Sequence, residues 1–218
     1  MVGRGYETTN IVEALRVEQA LAADAFEAGA WKRAGAAHIA RYWSGEDAPR
    51  GRRTEARVAW DAKGFTVRFD CQQTEPLVVS AAPQLEHKTM KLWDRDVCEI
   101  FITPETERIQ HYYEFEVAPT GEWLDLALTV TAEGRDTDWE FRSGVTAAAR
   151  VRPGSVTSGL RVPWEALGRA PRAGERWRCN LFRCVGRDPS RGYLAWQPTY
   201  TPEPAFHVPE KFGWIVFK

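Results

Sequence analysis

The chain has 218 residues, 44% of them hydrophobic, and a formal net charge of -1. That is enough length for one domain with a real core, and the near-neutral balance, with acids spread among the arginines, excludes a basic stripe and argues against nucleic acid as a partner. No stretch approaches the roughly 20 apolar residues of a membrane-spanning helix, so no membrane partner is expected. The opening residues 1–10 lack the apolar core of a signal peptide, and the compartment stays open.

Taken in order, residues 11–30 are rich in Ala, Leu and Glu and favour a helix by propensity alone. Residues 44–53 read as a polar surface loop. Residues 55–60 (E-A-R-V-A-W) and 65–70 (F-T-V-R-F-D) alternate with period two around the turn at 61–64, which predicts a β-hairpin with Gly64 supplying a positive φ. Residues 97–102, 112–117 and 123–128, separated by Thr103-Pro104 and Pro119-Thr120-Gly121, predict a three-stranded meander. Further strands are expected over 144–152, 159–162, 176–185, 193–196 and 214–217, with one helical turn over 163–168 opened by Pro163 and closed by Gly168. About ten short strands with Pro and Gly turns predict an all-β, antiparallel, jelly-roll-like β-sandwich with few short helical turns. With no linker or repeat, residues 1–218 form a single domain. Trp60, Phe69, Ile100, Ile102, Phe115 and Val117 belong to its core by alternation.

The four cysteines form no C-x-x-C pair, so zinc is not expected. Cys71 and Cys98 alternate inward with apolar neighbours and read as buried thiols, with a bridge from Cys98 to Cys179 or Cys184 as the alternative. Ten tryptophans exceed what a core of this size needs. Trp93, Trp123 and Trp196 fall where extended segments meet loops. Indole faces in such places suit flat, hydroxyl-rimmed ligands, of which sugars are the commonest; core packing is the alternative for each.

Four signatures occur in order: Trp93-Asp-Arg-Asp96-Val-Cys-Glu99-Ile-Phe-Ile102, Tyr112 through Gly121, Arg161-Val-Pro-Trp164 through Arg183, and Leu194-Ala-Trp196 followed by Phe206-His-Val-Pro-Glu-Lys-Phe-Gly213. Together they resemble the family 9 carbohydrate-binding modules, first known as appendages of xylanases, over about residues 31–217. The resemblance implies a β-sandwich, recasts residues 15–21 as an opening strand, and implies a non-catalytic saccharide-binding protein of polysaccharide or xylan breakdown, in a family mostly secreted. It places the two aromatic faces of a sugar clamp on Trp93 and Trp196 and a hydroxyl-binding carboxylate on Glu99, with Asp96 nearby. Where the family has an arginine, this chain has Glu116, and a carboxylate cannot replace a guanidinium fork. Arg183 or Arg95 is the candidate substitute.

Other chemistry remains to be weighed. Asp94 and Asp96 beside Glu99 are candidate ligands for a structural calcium. Glu114 and Glu116 share one strand face, and with Glu99 they could make a hydrolase, provided two carboxylates flank a glycosidic bond roughly 5–10 Å apart. Related sandwiches bind haem through a Met and a His, which directs attention to Met90, His111 and His207. No phosphate loop or nucleophile elbow occurs.

Overall fold

A computed structural model describes residues 10–218; residues 1–9, most of the stretch examined for a signal peptide, lie outside the described residues. The described chain forms fourteen strands and five short 3-10 turns. The strands are β1 (Ile11–Arg16), β2 (Ala36–Ile39), β3 (Arg41–Tyr42), β4 (Thr54–Trp60), β5 (Gly64–Gln72), β6 (Val97–Thr103), β7 (His111–Val117), β8 (Trp123–Thr131), β9 (Gly134–Asp138), β10 (Thr146–Arg152), β11 (Ser155–Pro163), β12 (Arg176–Val185), β13 (Gly192–Ala195) and β14 (Gly213–Phe217). They hydrogen-bond in the order β10-β11-β5-β4-β1-β14-β12-β6-β7-β8-β9, with β2 beside β4 and β13 linking β12 to β3.

The ribbon doubles over into a β-sandwich whose core lies between the two halves. Phe65 of β5 meets Phe115 of β7 edge-on at 6.4 Å between ring centroids, and Cys71 of β5 lies 3.3 Å, sulfur to sulfur, from Cys98 of β6. The six residues assigned to the core by alternation are all buried there. At one end Trp60, Trp164, Trp177 and Phe217 pack edge to face, with Trp177 and Phe217 at 4.9 Å. Such pairs add about 0.5–1.5 kcal/mol each beyond the area they bury.

Three expectations are corrected. The opening strand runs over Ile11–Arg16 rather than 15–21, and no helix follows it. It pairs parallel with both β4 and β14 while the other pairings are antiparallel, because Val12 and Ala14 are the residues its alternation can bury and the gap between hairpin and final strand accepts them in that direction. Gly64 does not take a positive φ. The constraint there is proximity: a side chain at Gly64 would run into the backbone of Val162 and Pro163 on β11. All four thiols are free and buried, and the near neighbour of Cys98 is Cys71. Cys184 points to the opposite face, donating to Glu99 Oε1 at 3.6 Å, while Cys179 pairs in register with Ile102 and not Cys98.

Glu175, just before β12, accepts hydrogen bonds from Arg169 (2.5 Å), the Arg172 N–H (2.8 Å) and Trp177 Nε1 (2.8 Å). Burial pushes its carboxyl up, but these donors outweigh it and bring the pKa down to about 2. A depressed carboxylate stabilises the fold above its unfolded pKa and loses that contribution as pH falls through about 2. Urea midpoints at mildly acidic pH and near the depressed pKa should therefore differ less in Glu175→Gln than in the parent. The difference is on the order of 1–2 kcal/mol once part exposure is allowed for.

Candidate functional site

Strands β6, β7, β8 and β12 have two usable faces, since successive side chains alternate. Ile100, Phe115, Val117 and Leu181 fill the sandwich core. The opposite face carries Val97, Phe101, Tyr112, Leu124, Leu126, Leu128, Phe182 and Cys184, a second apolar layer. Covering part of it are Phe206, stacked on Phe182 at 4.1 Å, and His207, stacked on Phe101 at 5.1 Å. Where this cover stops, a cavity of about 380 Å³ opens, walled by Trp93, Trp139, Arg135, Tyr193 and the 204–207 segment and floored by Glu99, Glu114, Leu126 and Leu128.

Trp93 sits on a 3-10 turn (Leu92–Asp94) entered through Lys91 in a left-handed conformation, φ 55°, a geometry uncommon for a residue with a side chain. Arg191 fixes this turn, donating to the carbonyls of Trp93 (2.6 Å), Arg95 (2.8 Å) and Gly186 (2.8 Å). Trp139 follows β9 and is 42% exposed; its ring is tilted 42° to that of Trp93 at 6.3 Å between centroids. The segment after Trp139 is held by Lys88, whose ammonium donates to the carbonyls of Phe141 (2.7 Å) and Asp125 (3.0 Å) and pairs with the buried Asp125 carboxylate.

On the floor, Glu99 and Glu116 are direct cross-strand partners of β6 and β7, and Glu114 is two residues along the same face. One oxygen of each lies within 4.8 Å of the others, and all three are buried. Like charges directly opposite one another are unfavourable. Burial, then Glu114, raises Glu99 well above the carboxylate range; burial, then Glu99 and Glu114, does the same to Glu116. Burial raises Glu114 to about 7. The group therefore offers protonated donors as well as acceptors to whatever enters.

Of the residues expected at the site, Trp93 and Glu99 line the cavity, Asp94 lies at its wall, and three do not belong to it. Trp196 is 1% exposed and packed in the core between the halves. Leu194 and Trp196 share that inner side of β13 and its extension, leaving Tyr193 and Ala195 for the outer layer. Arg183 also points inward, donating to the carbonyls of Arg52 and Gln72 and to Thr54 and Gln73. Asp96 accepts the Gly186 and Val78 N–H groups and is turned away from Asp94, so the acidic group gathers at Glu99, Glu114 and Glu116 instead of at Asp94 and Asp96. Arg95 pairs with Glu122. The residues considered for haem are scattered: Met90 is exposed, His111 is held by Thr129, and His207 bonds the Tyr112 hydroxyl at 2.9 Å, with burial lowering its pKa to about 3. Trp139, Arg135 and Tyr193 were not foreseen; an exposed Trp in an otherwise polar hairpin was the available signal for the first.

A larger hollow of about 630 Å³ lies against the outer side of β4 and β5, lined by His38, Arg50, Arg53, Glu55, Asp70 and Gln72 among others. It has no aromatic wall, and its carboxylates are paired, Glu55 with Arg57 and Asp70 with Arg57 and Arg68. The cavity beside Trp93 is the better candidate because its polar groups are buried and unpaired.

A protein from Bacteroides uniformis ATCC 8492 has the same fold, with a TM-score of 0.72 at 17% identity over 95% of this chain and 99% of that one. Two structures of a family 9 carbohydrate-binding module from Caldicellulosiruptor kristjanssonii are also similar. The glucose complex gives a TM-score of 0.67 at 14% identity, covering 95% of each chain. The cellotriose complex gives 0.63 at 15% identity, covering 95% of this chain and 93% of that one. No curated protein matches the chain in sequence. The family model described as "Carbohydrate family 9 binding domain-like" matches residues 23–218, and with its β-sandwich and the Trp93 to Glu99 signature in place, the chain belongs to that family.

Proposed function

We propose that residues 1–218 act as one non-catalytic domain that binds a saccharide in the cavity beside Trp93, with Trp93 and Trp139 as its aromatic faces and Glu99 and Glu114 bonding sugar hydroxyls. The observation that carries this reading is the pairing of two partly exposed indoles over a floor of buried carboxylates that have no cationic partner. Pyranose C–H faces stack on indole, and carboxyl groups take up adjacent hydroxyls. Family membership and the glucose and cellotriose complexes of the Caldicellulosiruptor module support it. Trp139 takes the role expected of Trp196, and polysaccharide or xylan breakdown is the proposed setting.

Hydrolysis fits less well. Glu99, Glu114 and Glu116 are side by side on one floor, with oxygens within 4.8 Å, whereas a glycosidase holds its two carboxyls on either side of the bond it cuts, at least about 5 Å apart. Calorimetric titration with glucose and cello-oligosaccharides tests the binding. Trp93→Ala and Trp139→Ala should each weaken it by about 1–3 kcal/mol while leaving the melting temperature nearly unchanged. Full affinity in both variants would sink the proposal, and turnover of a chromogenic glycoside would favour the hydrolase.

A further inference from the structure

The carboxylate floor has an unmet need that a sugar alone does not remove. Glu116 is 0% exposed, and neither of its oxygens accepts a hydrogen bond; nor does Glu114 Oε2. No ion pair among the described residues involves Glu99, Glu114 or Glu116. The β6–β7 and β7–β8 ladders occupy the neighbouring backbone N–H groups, so main chain cannot fill the gap. Buried polar atoms left in this state are rare and costly in native proteins, and here three of them converge.

The spacing suits an ion. Two oxygens bound to one calcium at about 2.3–2.6 Å can stand up to roughly 5 Å apart, and one oxygen from each of the three glutamates lies within 4.8 Å of the others. We propose that Glu99, Glu114 and Glu116 hold a divalent cation, calcium by preference, on the floor of the cavity. The donors are all hard carboxylate oxygens, which select calcium or magnesium over zinc. The one nearby sulfur, Cys184, spends its proton on Glu99 and is not a thiolate ligand. Three carboxylates supply half or less of the six to eight oxygens calcium takes. Water or ligand hydroxyls entering through the open side of the cavity complete the shell, and calcium tolerates such a mixed set better than magnesium, which demands near-octahedral geometry. The proposal goes beyond saccharide binding and does not depend on it, since the metal alone is the probe.

The full chain, stripped with EDTA and dialysed, is titrated with calcium chloride and, separately, with terbium, whose luminescence the indoles of Trp93 and Trp139 can sensitise. One equivalent of calcium should bind, the melting temperature should rise by several degrees at millimolar calcium, and calcium should displace the terbium signal. Glu116→Gln should abolish both effects, whereas Glu133→Gln, at an exposed turn, should keep them. Glu116→Gln removes a buried unpaired group, so it is expected to fold; circular dichroism in EDTA checks this, and Glu114→Gln carries the same comparison if it does not. A parent chain that neither binds calcium nor lights terbium overturns the site, as does a folded Glu116→Gln that keeps both.

Discussion

Trp196→Ala should lower stability by about 3–5 kcal/mol, the usual cost of emptying a large aromatic site in a core, and lower the melting temperature by roughly 6–20 °C for a domain of this size. The indole is 1% exposed, and the chain has made room for it: a Cβ at Gly213 would come within 2.7–2.8 Å of the ring and 2.8 Å of the Asn10 carbonyl. Ring, glycine and β1 entry thus form one close-packed joint beside the parallel strand. Below its melting transition the variant should bind saccharide as the parent does. A variant of unchanged melting temperature that no longer binds would restore Trp196 to the clamp position the resemblance implies.

Lys88→Met should cost a similar 3–5 kcal/mol by stranding a charge. The Asp125 carboxylate is 0% exposed, and the Lys88 ammonium is its cationic partner at 3.2 Å. Ser143 supplies two hydrogen bonds to the other carboxylate oxygen, from its N–H and its hydroxyl, each 2.7 Å, which hold the group in place without neutralising it. The same lysine ties the Phe141 carbonyl, so its loss also loosens the segment that carries Trp139. Adding Asp125→Asn to Lys88→Met should recover a large part of the loss, because it removes the stranded charge and keeps an acceptor for Ser143. Chemical unfolding of the two single variants and the double variant gives the coupling. Additive losses would mean that the pair does not act as a unit.

Within the predicted strands, alternation was enough because a half-buried strand must put every second residue into the core. The meander β6–β8, the hairpin β4–β5 and β12 follow the apolar periods closely, and Glu114 and Glu116 on one face follow from the same rule. The Trp93 to Glu99 signature located one wall and part of the floor of the cavity for the same local reason: the turn and the strand that carry them are adjacent in the chain. The one-turn helix at Trp164–Leu167, with Gly168 at φ 74° closing it, was likewise written in its Pro and Gly.

What the tertiary structure decided is which partner each face meets. Period two says that Tyr193 and Trp196 point to opposite sides but not which side is the core, and a one-residue difference in parity exchanges a ligand face for a packing residue. The parallel placement of β1 depends on a gap between β4 and β14, strands some 150 residues apart in the chain, and no local pattern encodes such a gap. Trp139 reaches the cavity because β9 pairs with β8 at the sheet edge and Lys88 draws the following segment inward, both consequences of long-range pairing. The carboxylate floor arises in the same way: each glutamate is legible as a strand residue, but the β6–β7 register alone sets Glu99 against Glu116 and leaves three acids together with no counter-charge.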